Sequence, residues 1–114
     1  MTPKPFQVSL EDHGSVMVVR VQGEVDTATA PRMGQAIDGQ LARRRRVVLD
    51  LSEVDFMDLH GLAVLMRASR RTRADGGSFA LERPASCVIR LLELVRVDGE
   101  IRILPDRTGP LDAA

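Results

Sequence analysis

Residues 47–66 read VVLDLSEVDFMDLHGLAVLM, and this stretch decides how the rest of the chain is interpreted. The apolar run VVLDL at residues 47–51 predicts an internal strand that is covered on both faces. Residues 53–59 contain three acidic residues and predict a connection. From residue 61 onward apolar residues recur at helical spacing, so a helix is expected to begin near residue 60. A buried strand that is followed by a helix is typical of α/β folds.

The flanking sequence continues this alternation of strands and helices. Alternating or Val-rich runs predict strands at residues 6–10, 16–22, 78–82 and 100–104, the last of which closes the sheet. Helices are expected at residues 30–42 and from residue 84 onward. The resulting order is β-β-α-β-α-β-α-β. It predicts an α/β fold, a small sandwich whose mixed, mostly parallel sheet has helices packed on it, because strand-helix-strand units produce parallel neighbours.

Length and composition predict one domain. The chain has 114 residues, of which we assign 1–104 to the domain and 105–114, with two prolines and a glycine, to a loose tail. Its 16 basic and 16 acidic residues give no net attraction to nucleic acid or to an anionic membrane. No apolar run approaches the ~20 residues that span a bilayer, and residues 1–7 lack the apolar stretch of a signal peptide. A cytoplasmic protein is therefore expected.

Motifs for catalysis are missing from the sequence. It contains no phosphate-binding glycine loop, no G-x-S-x-G elbow and no H-E-x-x-H pair. The single Cys87 excludes an internal disulfide and a cysteine-based zinc site. We therefore expect neither enzyme activity nor a cofactor nor a metal. The one enzyme alternative is a small hydrolase or phosphotransfer protein in which Asp58 orients His60 as a base.

Charged residues around the central stretch indicate a surface for another protein. Asp50, Asp55 and Asp58 predict an acidic cluster at the strand-to-helix junction, and Asp58 is a good N-cap for the helix. Arginines predicted to lie outside the apolar stripe of that helix form a basic face that suits an acidic partner: Arg67, Arg70, Arg71 and Arg73. The arginine run at residues 43–46 is interpreted as a solvated loop, because no aromatic residues are interleaved with it.

Five short motifs occur in the order found in one known family. They are GEVD at 23–26, LDLS at 49–52, FMD at 56–58, GL at 61–62 and VIRLLEL at 88–94. With these motifs the chain resembles, over residues 6–104, the STAS domain of bacterial anti-sigma factor antagonists. The resemblance implies the STAS-type sandwich and a protein that regulates transcription indirectly, by docking on an anti-sigma factor.

The resemblance also implies a mechanism, which is called partner switching. The unmodified antagonist docks on an anti-sigma factor that is also a kinase, and phosphorylation of a Ser or Thr at the start of the second helix releases it. Asp26 and Asp58 match acids that lie near this site. The implied partner-binding residues are Asp26, Asp58, Leu59, His60, Gly61, Leu62 and Arg67. The free protein is expected to be a monomer or a weak dimer.

One position departs from the family pattern. His60 occupies the place of the hydroxyl, so we expect no phosphorylation there. Three explanations remain open: a non-switchable antagonist or scaffold, regulation through another hydroxyl such as Ser52, Ser69 or Thr72, or a response of His60 itself by protonation or phosphorylation. The resemblance allows an alternative role as a STAS subunit of a lipid-transport or stress-signalling complex.

Overall fold

The computed structural model describes residues 4–43, 46–97 and 99–105. Its elements in chain order are β1 (Gln7–Asp12), β2 (Val16–Val25), α1 (Ala30–Leu41), β3 (Arg46–Met57), α2 (Leu59–Asp75), β4 (Ser78–Glu82) and α3 (Ser86–Leu94). The four strands form one sheet in the order β1-β2-β3-β4. β1 is antiparallel to β2, and the remaining neighbours are parallel. The predicted mixed α/β architecture is confirmed.

The core lies between the sheet and the helices. Val19, Leu49 and Leu81 occupy neighbouring register positions on one face of the sheet, and none is exposed to solvent. Met33 and Ile37 of α1 belong to the same buried cluster. This face is apolar at every second residue, as expected for a strand face that is covered by amphipathic helices.

Helix α2 follows its predicted pattern. Its stripe Leu62, Leu65, Met66 and Ser69 is buried, while Arg67, Arg70 and Arg73 are exposed. The helix ends at Asp75, and its C-cap Gly76 has φ of 76°. Glycine takes this left-handed conformation without the steric penalty that a Cβ atom would bring.

Strand β3 is longer than the sequence predicted. The connection expected over residues 53–59 is wrong, because β3 continues to Met57 and pairs with β2 through Gln22–Glu53 and Val25–Met57. Bulges in this ladder shift the register, so polar and apolar residues do not alternate cleanly. Only Asp58 therefore separates the strand from α2.

The strand predicted at residues 100–104 is also wrong in extent. Ile103 makes a single parallel bridge to Leu81, and no fifth strand forms among the described residues. The carbonyl of Glu100 accepts hydrogen bonds from the side chains of Ser69 and Arg73 and not from a strand. Arg83, directly after β4, has φ of 45°, a conformation that few residues other than glycine adopt.

A buried carboxylate joins three parts of the sheet. Asp50 has no exposed surface and accepts hydrogen bonds from the amide (2.9 Å) and hydroxyl (2.7 Å) of Ser52, from Arg20 Nε (3.1 Å) and from Arg83. Burial raises the pKa of Asp50, but these hydrogen bonds outweigh it and hold the pKa below its ordinary value. Asp50 is therefore ionised and structural.

Two regions singled out in the sequence fall partly outside the described residues. These are residues 106–114 of the predicted tail and Arg44 and Arg45 of the arginine run. Among the residues that the structure does describe, no helix has both the length and the hydropathy that crossing a bilayer requires.

Candidate docking surface

Two loops meet at the carboxyl ends of neighbouring strands. Residues 26–29 follow β2, and Asp58 with the first turn of α2 follows β3. Because β2 and β3 are parallel neighbours, their carboxyl ends lie at the same edge of the sheet. The amide of Asp58 donates to the carbonyl oxygen of Val25 at 3.1 Å and ties the two loops together. We call residues 26–29 and 58–61 the junction.

Asp58 caps helix α2, which confirms its predicted structural role. Its carboxylate accepts from the amides of His60 (2.8 Å) and Gly61 (3.3 Å). Burial raises the pKa of Asp58, but the hydrogen bonds from His60 and Gly61 lower that pKa by more, so the net shift is downward. An ionised acid at this end also stabilises the helix through its dipole.

Asp26 shapes the other loop of the junction. Its Oδ1 accepts from the amides of Ala28 (3.0 Å) and Thr29 (3.1 Å). The hydroxyl of Thr29 donates to the carbonyl oxygen of Glu24 at 2.7 Å. The Asp26 carboxylate therefore holds its own turn in place at the start of α1.

His60 connects the two loops through one ring nitrogen. Its Nδ1 lies 3.2 Å from Thr27 Oγ1 and 3.3 Å from Asp58 Oδ2, and the imidazole is exposed. A hydrolase triad needs the hydroxyl at one ring nitrogen and the orienting carboxylate at the other. Thr27 and Asp58 both contact Nδ1. This arrangement therefore does not form the hydrogen-bonded chain of nucleophile, base and orienting carboxylate that a triad requires.

Thr27 is the junction residue that sequence reasoning missed. It lies 33 positions from its neighbour His60. The only signal was its position directly after Asp26, at the end of a strand that was predicted to lie beside β3.

The junction needs glycine at position 61. A Cβ atom there would lie 2.7 Å from Cγ of Met57 and 2.8 Å from Cγ1 of Val25, both of which are buried residues. The close approach of α2 to the ends of β2 and β3 therefore depends on the missing side chain.

We expect Gly61→Ala to lower the free energy of unfolding by about 1–3 kcal/mol, because overpacking moves buried neighbours. The matched control is Gly39→Ala in α1, where a Cβ atom meets nothing within 4 Å. There the better helix propensity of alanine should raise stability by about 0.5–1 kcal/mol. Urea unfolding of both variants measures the difference. Equal shifts of the same sign would show that Gly61 is not sterically required.

A groove runs along α2 beside the junction. It has a volume of about 820 Å³, with apolar lining from Leu59, Leu62, Ala63, Met66 and Val97 and cationic lining from Arg67, Arg70 and Arg71. Leu59 is 61% exposed although it is a large apolar residue. Such exposure next to a groove is typical of an interaction site.

The arginines of the groove differ in how they are held. Arg71 contacts Asp38 at 3.3 Å and Asp75 at 3.7 Å. Among residues 4–43, 46–97 and 99–105, neither Arg67 nor Arg70 has a carboxylate within ion-pair distance. Within that part of the chain, their two positive charges are not neutralised by a salt bridge.

The structure brings the predicted binding residues together, but it does not form the acidic cluster that was predicted for Asp50, Asp55 and Asp58. The groups at the junction and at the groove are Asp26, Asp58, His60 and Gly61, and then Leu59, Leu62 and Arg67. The acidic cluster is wrong, because Asp50 is buried against Arg20 and Arg83. Asp55 accepts from the amide of Lys4 at 3.0 Å instead. The extension of β3 separates these acids from Asp58.

The hydroxyls considered as alternative regulatory sites are engaged elsewhere. Ser69 and Thr72 are buried, and their hydroxyls donate to carbonyl oxygens of Glu100 and Ser69. The hydroxyl of Ser52 donates to Asp50. None of the three contacts the junction through these bonds.

Other residues that carry chemistry form no composite site. His13 Nε2 pairs with Glu11 at 2.8 Å near the turn between β1 and β2, and Cys87 Sγ lies 3.5 Å from the carbonyl oxygen of Val54. Within the part of the chain that the structure describes, no group of three or more His, Cys, Asp or Glu residues could hold a metal ion.

Comparison with known proteins gives a consistent family. The family model described as "Mlab, STAS domain" matches residues 8–105. An anti-sigma F factor antagonist of Paenibacillus polymyxa is 32% identical over 102 residues, which cover 88% of this chain and 85% of that protein. The anti-sigma-F factor antagonist RsfB of Mycobacterium tuberculosis is 29% identical over 102 residues, with 89% and 83% covered.

A solved structure agrees with these sequence matches. The crystal structure of an anti-sigma factor antagonist from Mycobacterium paratuberculosis superposes with a TM-score of 0.80 at 30% sequence identity. The similarity covers 98% of this chain and 93% of that one. The likeness therefore extends over the whole sheet, the three helices and the junction.

Proposed function

Because the chain belongs to the STAS domain family, we propose that it is an anti-sigma factor antagonist. It docks on a kinase-type anti-sigma factor in the cytoplasm and thereby regulates transcription indirectly. The relatives named above support this function, since each carries it in its name. The structural observation that carries the proposal is the groove beside the junction, where exposed Leu59 adjoins Arg67 and Arg70, which pair with no carboxylate of the described residues.

The groove indicates the chemistry of the partner surface. An apolar side chain of the anti-sigma factor would cover Leu59 and enter the groove, and carboxylates beside it would face Arg67 and Arg70. Desolvated apolar anchors contribute most of the binding energy in such interfaces, while charges at the rim accelerate association. The antagonist therefore binds by surface complementarity.

The test is a titration of the purified full chain against the kinase-type anti-sigma factors of its host. We expect a saturable complex with at least one of them, with an interface of about 1,200–2,000 Å². Isothermal calorimetry measures the affinity of this complex. As a control, Arg90→Glu reverses an exposed charge on α3 outside the groove and should leave that affinity unchanged. Loss of all saturable binding across the set would exclude the proposal. Purification with a membrane ATPase in its place would favour the lipid-transport alternative.

A further inference from the structure

A cavity lies on the face of the sheet that points away from the helical core. Residues of α1, α2 and α3 all belong to the buried cluster that contains Val19 and Leu49. Successive side chains of a strand point to opposite faces, so Val18, Val48 and Ala80 face the other way. These three residues are neighbours in the strand register, and they line a cavity of about 290 Å³.

This cavity is separate from the surface that is proposed to meet the anti-sigma factor. Val16, Arg46 and Ser78 are the first residues of β2, β3 and β4, and all three line the cavity. It therefore begins at the amino ends of the parallel strands, whereas the junction lies at the carboxyl ends of β2 and β3. No helix residue is among the described residues that line it.

The floor of the cavity is apolar and shielded from bulk water. Val18 is 5% exposed and Ala80 is 2% exposed, although neither belongs to the buried cluster beneath the helices. Leu104 adds an apolar wall beside β4. The volume is close to the lower limit of small-molecule sites, which is about 300 Å³. A hydrocarbon group of matching size would be transferred from water to this floor with a favourable free energy.

The charged groups of the cavity indicate which polar group such a ligand carries. Arg46 and Arg102 line the cavity and are exposed, and within the described ranges neither forms a salt bridge with a carboxylate. Glu82 also lines it, but at the last position of β4, about 13 Å along the strand from Ser78. A carboxylate beside Arg46 therefore avoids Glu82, and guanidinium groups bind carboxylates through paired hydrogen bonds.

We propose that this cavity binds a small amphipathic carboxylate. Its hydrocarbon chain lies over Val18, Val48 and Ala80, and its carboxylate contacts Arg46 and Arg102. The floor spans two interstrand spacings, about 10 Å, which suits an extended chain of about eight carbons. The proposal does not depend on the antagonist function, because it uses the opposite face of the sheet.

The test titrates the ¹⁵N-labelled full chain with sodium octanoate and follows the backbone amide shifts by NMR. We expect saturable shifts with a Kd of about 0.1–1 mM, concentrated at Val18, Val48 and Ala80. Octylammonium has the same chain length and the opposite charge, and it should bind at least about tenfold more weakly.

Two variants of the cavity and one control locate the ligand. Arg102→Glu should weaken octanoate binding by about tenfold or more, because it replaces an attracting charge with a repelling one. Ala80→Leu should abolish binding by filling the floor. Arg90→Glu on α3 changes an exposed charge outside the cavity and should bind octanoate as wild type does. Because Ala80 is buried and Arg102 is exposed, Arg102→Glu is the decisive variant if Ala80→Leu does not fold.

Three results would overturn the proposal. One is a failure to saturate below about 10 mM octanoate. Another is a set of shifts confined to the groove of α2, at Leu59, Arg67 and Arg70. The third is an affinity for octanoate that is matched by octylammonium or unchanged in Arg102→Glu. None of these results bears on binding to the anti-sigma factor, which is measured separately.

Discussion

Replacing Asp50 with Asn should lower the free energy of unfolding by about 3 kcal/mol, the largest effect that we expect from a single substitution. The carboxylate has no exposed surface and pairs with Arg20 and Arg83. Removing one member of a buried ion pair costs about 3–5 kcal/mol, because the remaining charges lose their partner. Arg20 and Arg83 are partly exposed, so water compensates some of the loss and the lower end applies.

Urea unfolding at neutral pH measures this effect, and Asp38→Asn is its matched control. Asp38 also pairs with an arginine, Arg71, but both side chains are substantially exposed. Exposed pairs contribute about 0–1 kcal/mol, so the control should stay within that range. A loss at Asp50 no larger than that at Asp38 would show that the buried carboxylate does not hold the sheet.

The difference in stability between wild type and Asp50→Asn should depend on pH with a defined sign. The pKa of Asp50 is lower in the folded protein than in the unfolded chain, where it is about 3.9. Its stabilisation is therefore present above the unfolded pKa and is lost as pH falls toward the folded pKa. The difference between wild type and Asp50→Asn should be full at pH 7 and should shrink below about pH 4. A difference that is independent of pH would contradict the ionised state.

Replacing Leu59 with Asp should weaken binding to the anti-sigma factor by about 30-fold or more. A central apolar anchor contributes about 2 kcal/mol or more to an interface, and a carboxylate at this position must be desolvated on docking. Because Leu59 is 61% exposed in the free protein, we expect the free energy of unfolding to change by less than about 0.5 kcal/mol. The effect is therefore on affinity and not on folding.

The chain offers a close control for this substitution. Leu94 at the end of α3 is 78% exposed and lies outside the groove. Leu94→Asp should leave both affinity and stability unchanged, as measured by calorimetry and urea unfolding. Equal affinities for the two variants would place the docking surface elsewhere on the molecule.

Local patterns in the sequence were sufficient for most of the fold. Strand β4 was predicted with its observed limits, and Asp58 was predicted as the cap of α2, because alternation and capping depend on near neighbours. The continuation of β3 to Met57 was missed, because bulges against β2 break the alternation that reveals a strand. The strand expected at residues 100–104 was reduced to a bridge, since the carbonyl of Glu100 bonds to side chains of α2.

The binding residues were partly predictable, but through the family resemblance. Asp26 and Asp58 match acids near the family's modification site and His60 occupies the position of its hydroxyl, so the resemblance placed all three in one hypothesis. The contact between Thr27 and His60 and the pairing of Asp50 with Arg83 each join residues 33 positions apart. Such contacts depend on strand register and loop path. Local residue patterns do not specify either of them.

The hydrogen bond from the Asp58 amide to Val25 has a consequence for the energetics of association. It links the two loops of the junction in the free protein, where Asp26 and Asp58 already hold the local backbone. Ordering flexible loops on binding costs conformational entropy, and here that cost has been met during folding. Affinity can then be set by a few side chains at the surface. A domain of this size can thus offer a preformed surface to a partner without rearranging its own backbone.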